Sequence, residues 1–193
     1  MNNFSDFSID IYKSLETLKS GGVILCPTDT VWGLSCDATS AKAVEKLMVI
    51  KKRPQNMVMF VLVSNEVMLQ QYVNEVPEIV WNLLDVADKP LTIIYPGAKN
   101  LAQNLIVTDG SIGIRVCKDD FCNTLISRFK KPLVSTSANF SGEKTPCIFT
   151  EISEELIKTV DYVIKFKQND ISASQPSSVI KIGTRGEIQI LRK

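Results

Sequence analysis

Met57-Val58-Met59-Phe60-Val61-Leu62-Val63 is an unbroken run of seven apolar residues with no polar position in it. A strand that is apolar on both faces lies in the middle of a sheet that helices cover on both sides. Other strand-like runs at 23–26, 91–95 and 112–116 alternate with helix-like stretches. The sequence therefore predicts a single α/β domain over residues 1–193 with a mixed sheet, in which 57–63 is a central strand.

Capping and turn residues support this organisation in two parts of the chain. Ser40 is placed to cap a helix in which Val44, Leu47 and Lys51 share one face, and Pro54 ends that helix. The polar segment 167–176 predicts a mobile loop. The segments 178–182 and 187–191 flank a glycine-containing turn, which predicts a β-hairpin.

Composition excludes several classes of function. The net charge of the 193-residue chain is +1, so no overall charge draws it to nucleic acid or to anionic membranes. Histidine is absent, which removes serine–histidine and cysteine–histidine catalysis and most zinc enzymes. The five cysteines form no C-x-x-C pair and are expected to be reduced thiols. Without a signal peptide or a long apolar segment, the protein is expected to be cytoplasmic, with no membrane partner.

Short polar motifs follow the apolar runs. They are Thr28-Asp29-Thr30-Val31-Trp32-Gly33, Lys51-Lys52-Arg53-Pro54 and Ser135-Thr136-Ser137-Ala138-Asn139. Each is read as a turn after a regular element, and open α/β sheets bind ligands at such turns. Together the motifs offer cations, hydroxyls and an amide, which are the groups that bind a nucleoside triphosphate and a small polar amino acid.

Each candidate residue also has a purely structural interpretation. Lys51 and Arg53 can stabilise the negative end of a helix dipole. Ser137 and Asn139, in a polar turn, can bond their own backbone. Asp29 can be a cap or turn residue. Arg115 lies in a strand-like run and needs a carboxylate partner, which is either a substrate or an aspartate or glutamate of the chain.

The motifs, taken in order, resemble those of the YrdC/TsaC family of threonylcarbamoyl-adenylate synthases. The matching segments are 27–34, 51–54, 113–115, 137–142, 177–180 and 190–192. The resemblance implies a twisted open sheet flanked by helices, with a concave basic face. It implies a nucleotidyltransferase that forms threonylcarbamoyl-AMP and pyrophosphate from L-threonine, bicarbonate or CO₂, and ATP. A separate transferase would then pass the group to tRNA as threonylcarbamoyladenosine.

The resemblance also implies roles for individual residues. The catalytic set is Lys51 and Arg53, which contact the ATP phosphates, together with Ser137 and Asn139, which meet the nucleotide. The set that contacts threonine is Thr30, Trp32, Arg115 and Ser177. Further ATP contacts are expected from Ser111, Thr145 and Arg192. Mg²⁺ would be carried with ATP, with no organic cofactor and no metal site built by the protein.

Three departures leave alternatives open. Met57 stands where the family often has a lysine, and Lys181 reverses the charge at the end of the motif that begins at Ser177. The match also ends at the last residue, without the extra domain of longer relatives. One alternative is a paralogue of the same family that uses another acid or amine. The other is a non-catalytic module with weak RNA binding, favoured by the local charge at Lys130 and Lys131.

Overall fold

The computed structural model describes residues 7–52, 59–173 and 175–193. Its helices are α1 (Ser8–Lys19), α2 (Ala41–Ile50), α3 (Glu66–Gln70), α4 (Ile79–Val86), α5 (Asp120–Phe129) and α6 (Glu154–Ile157). Its strands are β1 (Ile24–Cys26), β2 (Gly33–Asp37), β3 (Phe60–Val63), β4 (Leu91–Tyr95), β5 (Ile112–Val116), β6 (Leu133–Ser137), β7 (Tyr162–Val163), β8 (Ser178–Ile182) and β9 (Ile188–Arg192).

The described strands form one mixed sheet in the order β7-β1-β2-β6-β3-β5-β4-β8-β9. The pairs β1/β7, β3/β5 and β4/β8 are parallel, and the other neighbours are antiparallel. β3 lies at the centre, as its apolar sequence predicts, although residues 57 and 58 of that run fall outside the described residues. The predicted α/β fold with a mixed open sheet flanked by helices is confirmed, and the basic face stays a prediction.

Side-chain alternation along the strands divides the core between the two faces of the sheet. One face carries the larger apolar core, with Val61 of β3 and Ile114 of β5 among its fully buried members. The other face carries Leu62 of β3 and Leu133 of β6, which pack with residues of α1 and α5. Each fully buried side chain of this kind stabilises the fold by about 1.5–3 kcal/mol.

The face that holds α1 and α5 changes from apolar to polar along the sheet. Strand register pairs the buried Leu62 with Arg115, and pairs Phe60 with Ser135. Ser137 follows two residues after Ser135, so its side chain points to the same face. Phe60, Arg115, Ser135 and Ser137 line a cavity, and the candidate site is built on this polar part of the sheet.

Capping residues define the ends of two helices, α2 and α5. The Ser40 hydroxyl accepts a hydrogen bond from the Ala43 N–H at 3.3 Å, which confirms the predicted cap of α2. Asp119 caps α5 by accepting from the Cys122 N–H at 3.0 Å. Lys130, the residue that follows the last residue of α5, has a φ of +60° and stops the helix there. In the part of the chain that the structure describes, no helix is long and apolar enough to cross a membrane.

The serine-rich stretch 135–137 was expected to be a turn, and this expectation is wrong. It forms the end of β6, because β2 supplies hydrogen-bonding partners along the whole stretch, from Ser135 opposite Ser35 to Ser137 opposite Gly33. β2 itself has no counterpart in the sequence prediction. The predicted C-terminal hairpin is confirmed as β8 and β9.

Candidate functional site

A cavity of about 280 Å³ lies over the polar part of the sheet. The turn between β1 and β2 and the strands β3, β5, β6 and β9 form its walls, together with the segment before β8. The lining residues are Thr30, Val31, Gly33, Met59, Phe60, Arg115, Ser135, Thr136, Ser137, Thr145, Pro176, Ser177 and Arg192. Segments from both ends of the chain therefore meet at one site.

Arg115 lies in the cavity wall and is almost completely buried. Its Nη2 lies 2.9 Å from Oδ1 of Asp29 and donates to the Thr30 hydroxyl at 3.2 Å. Asp29 is therefore the carboxylate partner that the strand position requires. Burial raises the pKa of the Asp29 carboxyl, and the charge of Arg115 opposes that rise.

The ion pair leaves hydrogen-bonding capacity unused on both sides. Among the described residues, Nε of Arg115 has no acceptor and Oδ1 of Asp29 accepts no hydrogen bond. The 2.9 Å distance is therefore that of an ion pair whose N–H does not point at the oxygen. Because an arginine donates through several N–H groups in one plane, Arg115 can still bind the carboxylate of a ligand.

The turn before β2 holds the Thr30 hydroxyl beside this guanidinium. The Thr28 hydroxyl donates to the carbonyl of Val31 at 2.8 Å and lies 2.9 Å from the Thr30 hydroxyl. The Thr30 N–H donates to the same Thr28 oxygen at 3.1 Å. Thr30 can therefore donate to Thr28 and accept from Arg115, which fixes its position in the wall.

A second cation faces the cavity from the C-terminal strand. Nε of Arg192 donates to the carbonyl of Ser177 at 2.8 Å, and its Nη2 lies 3.4 Å from the Ser177 hydroxyl. That hydroxyl is 2.7 Å from the hydroxyl of Thr92. Burial lowers the pKa of Arg192, and the charge of Arg115 lowers it further. Two guanidiniums that interact across one cavity favour an anionic ligand.

Lys51 lies behind the cavity wall rather than in it. Its buried Nζ donates to the carbonyls of Ser137 and Asn139 at 2.7 and 2.6 Å, and lies 3.3 Å from Oδ1 of Asn139. Nδ2 of Asn139 donates to the carbonyls of Phe140 and Glu143 at 2.9 and 2.8 Å. Asn139 therefore bonds the backbone of its own turn, which is the structural interpretation given above for this residue. Lys51 holds the chain in place where β6 ends.

The structure places the predicted site residues in different surroundings. Six of them line the cavity together: Thr30, Arg115, Ser137, Thr145, Ser177 and Arg192. Trp32 packs in the larger core, with its ring centroid 4.9 Å from that of Phe149, and borders a smaller cavity of about 50 Å³ that Thr30 also reaches. Ser111 is buried next to Asp109, outside this lining. Arg53 and Met57 fall outside the described residues.

Sequence reasoning missed several lining residues. Phe60 belongs to the apolar run that indicated a buried strand, and nothing local distinguishes it from its neighbours. Thr92 does not line the cavity but contacts the hydroxyl of Ser177. One feature of the sequence could have identified it, because it is the only residue with an aliphatic hydroxyl in the otherwise apolar or aromatic strand Leu91–Tyr95.

Comparison with known proteins identifies relatives over nearly the whole chain. The chain is 30% identical over 181 residues to the threonylcarbamoyl-AMP synthase of Pseudoalteromonas translucida, and this match covers 92% of this chain and 95% of that protein. It is 36% identical over 180 residues to the putative threonylcarbamoyl-AMP synthase of Methanocaldococcus jannaschii, and this match covers 88% of this chain and 81% of that protein.

Solved structures share the fold. YciO from E. coli superposes with a TM-score of 0.82 at 24% identity, over 96% of this chain and 89% of that chain. Sua5 from P. abyssi, in a crystal structure with L-threonine, superposes with a TM-score of 0.81 at 21% identity. That match covers 90% of this chain, which spans about half (51%) of the Sua5 chain.

The family itself follows from a profile comparison. The family model of the Sua5/YciO/YrdC proteins, described as "Telomere recombination", matches residues 16–193. Because the match covers most of the sequence, the chain belongs to the Sua5/YciO/YrdC family.

Proposed function

We propose that this protein is an L-threonylcarbamoyladenylate synthase, a nucleotidyltransferase. It joins L-threonine, bicarbonate or CO₂, and ATP into threonylcarbamoyl-AMP, and releases pyrophosphate. The observation that carries the proposal is the meeting of Arg115, Thr30, Ser137, Ser177 and Arg192 in one cavity. Two relatives that match over most of their own length are named threonylcarbamoyl-AMP synthase, one of them as putative, which supports the same reaction.

The amino-acid side of the site is built around Arg115. Its guanidinium, which lines the cavity, receives the threonine carboxylate, and Thr30 and Ser177 lie in the same wall. The presence of L-threonine in the Sua5 crystal structure supports an amino acid of this kind as ligand. Trp32 acts less directly, through the packing that supports the turn before β2.

The nucleotide side takes Ser137, Thr145 and Arg192 from the cavity wall. Lys51 and Asn139 act from behind it, by holding the end of β6 in place. Ser111 and Arg53 keep the ATP-contacting roles that the family resemblance implies, Arg53 at the phosphates. The described residues include no group of three or more acidic, cysteine or histidine side chains placed to hold a metal ion. Mg²⁺ enters as the Mg–ATP complex, bound mainly by phosphate oxygens and water.

The reaction follows from proximity and charge. The neutral threonine amine attacks CO₂ and gives up a proton to water, which leaves a carbamate. One carbamate oxygen then attacks the α-phosphorus of ATP. The bond from that phosphorus to the β-phosphate oxygen breaks, and pyrophosphate leaves with the electron pair. Cations beside the phosphates stabilise the charge that develops, and holding the reactants together lowers the entropic cost. No step needs a histidine or a covalent enzyme intermediate.

The product is a mixed anhydride that a separate transferase would consume to make threonylcarbamoyladenosine in tRNA. This partner and any weak contact with RNA belong to the proposal. The alternative of a non-catalytic RNA module is not favoured, since the matched relatives are named as synthases.

Pyrophosphate release tests the function directly. With Mg–ATP, turnover should require both threonine and bicarbonate. Arg115→Met should abolish it, whereas Arg128→Met, at an exposed position on α5, should not change it. If threonine and bicarbonate do not stimulate pyrophosphate release by the parent protein, the proposed function is wrong. If another amino acid replaces threonine, the protein is a paralogue with a different substrate.

A further inference from the structure

Phe60 is a large apolar side chain in an otherwise mainly polar wall. It begins β3, is only partly buried and lines the cavity beside Arg115. Among the described residues, the two apolar cores are built without it. A phenyl ring that contributes to neither core and borders a ligand cavity has its exposed surface available for the ligand.

Gly113 explains how the ring fits. It is the register partner of Phe60 on the neighbouring strand. A Cβ at residue 113 would lie 2.5 Å from Cδ1 and 2.9 Å from Cε1 of Phe60, which is closer than atoms can approach. Gly113 does not have a positive φ, so its backbone conformation does not require glycine. The missing side chain therefore serves to seat the Phe60 ring against β5.

Strand geometry brings this ring near the proposed anchor of the substrate. Arg115 follows Gly113 by two residues, so both face the same side of β5. Neighbouring strands lie about 4.8 Å apart and rise about 3.3 Å per residue, which puts the Cα atoms of Phe60 and Arg115 roughly 8 Å apart. An amino acid whose carboxylate is bound by Arg115 therefore extends its side chain within reach of the ring.

We propose that Phe60, seated on Gly113, is the specificity-determining wall that limits the size of the amino-acid side chain this protein accepts. The inference rests on the proposed function in one respect, that an amino-acid carboxylate binds at Arg115. The wall excludes side chains much larger than that of threonine and leaves the hydroxyls of Thr30 and Ser177 to select polarity.

Two opposite substitutions and their combination test the wall. Phe60→Ala enlarges the cavity, so the protein should gain use of a bulky β-hydroxy amino acid such as phenylserine. Its selectivity for threonine over phenylserine, measured as the ratio of kcat/KM values, should fall by about 10- to 100-fold. Gly113→Ala displaces the ring into the cavity and should lower kcat/KM for threonine by about 10-fold or more.

The double variant Phe60→Ala/Gly113→Ala distinguishes this mechanism from general damage. Its added methyl group meets no ring, so it should recover the threonine activity of Phe60→Ala alone. Phe166→Ala is the matched control, since this ring packs with Phe7 and Phe121 in the smaller core. It should lower the melting temperature without changing selectivity.

The outcomes separate this inference from the proposed function. If Phe60→Ala keeps the parent selectivity, the wall does not exist. If the folded double variant is no better than Gly113→Ala, the proposed seat is wrong. If the parent shows no threonine-dependent turnover, the function fails, and calorimetric binding of the same amino acids to the parent and to Phe60→Ala still tests the size limit. Absence of any amino-acid binding to the parent would overturn the inference as well.

Discussion

Breaking the buried ion pair between Arg115 and Asp29 should affect stability and ligand binding in different ways. The two side chains are 5% and 10% exposed and lie 2.9 Å apart. Removing one partner of such a pair costs about 3–5 kcal/mol, because the other charge stays buried without compensation. For a chain of this size each kcal/mol corresponds to about 2–4 °C, so Arg115→Met should lower the melting temperature by roughly 6–20 °C.

The stability lost in Arg115→Met should depend on pH, and the direction of that dependence follows from the pKa of Asp29. Burial already raises the pKa of Asp29, and removing the Arg115 charge removes an influence that lowers it. A carboxyl whose pKa is higher in the folded state binds more protons there than in the unfolded chain, so its folded state gains stability as pH falls through that pKa. The penalty of Arg115→Met should therefore be largest at neutral and higher pH, and should shrink as pH falls toward the ordinary pKa of an aspartate, about 4.

Melting curves and calorimetric threonine titrations of three variants distinguish the two roles. Arg115→Met should lose threonine binding, whereas Asp29→Asn should keep it because the guanidinium remains. The double variant should recover much of the stability and none of the binding, since neutral replacement of both partners is often tolerated. Lys46→Met, which breaks a partly exposed pair with Asp161, is the control and should cost about 1 kcal/mol or less. An Arg115→Met variant that melts like the parent and binds threonine would refute the reasoning.

Other predictions follow from single contacts. Lys51→Ala should abolish pyrophosphate release and also lower the melting temperature, because the buried carbonyl of Asn139 and the partly buried carbonyl of Ser137 both lose their donor. A buried carbonyl left without a donor costs about 1–3 kcal/mol. An unchanged melting curve would contradict the structural part of this role. Ser40→Ala removes the cap on the Ala43 N–H and should cost about 1 kcal/mol in denaturant unfolding, with activity retained. Hydrogen bonds from Ser111 and Lys181 lower the pKa of Asp109 to about 2. The stability that the ionised carboxylate contributes is therefore lost as pH falls from about 4 to about 2. Asp109→Asn should destabilise the protein at pH 7 and have little effect near pH 2. Thermal melts at the two pH values check this last prediction.

Much of the fold was available from local sequence. The strands 91–95 and 112–116 were predicted with the bounds that the structure shows, because short apolar runs between turn residues restrict the chain to buried strands. The cap at Ser40 and the C-terminal hairpin were predicted for the same kind of reason, since the contacts that form them lie within a few residues. The family motifs likewise selected six residues that meet in the cavity.

The environment of each site residue required the folded chain. Nothing near Arg115 in sequence identifies Asp29 as its partner, and the Thr30 hydroxyl that it contacts lies 85 positions away. The hydroxyl-bearing residues at 135–137 favour a turn by themselves, yet they form a strand because β2 pairs with their backbone.

What the sequence alone determined was which segments are apolar enough to be buried and which family they form, because burial and local hydrogen bonding depend on near neighbours in the chain. Only the tertiary structure decided how Lys51 is held by backbone carbonyls, and why Gly113 lies under Phe60. Both arrangements join distant segments through the register of the sheet. That register is a property of all the strands together, so no local stretch of sequence contains it.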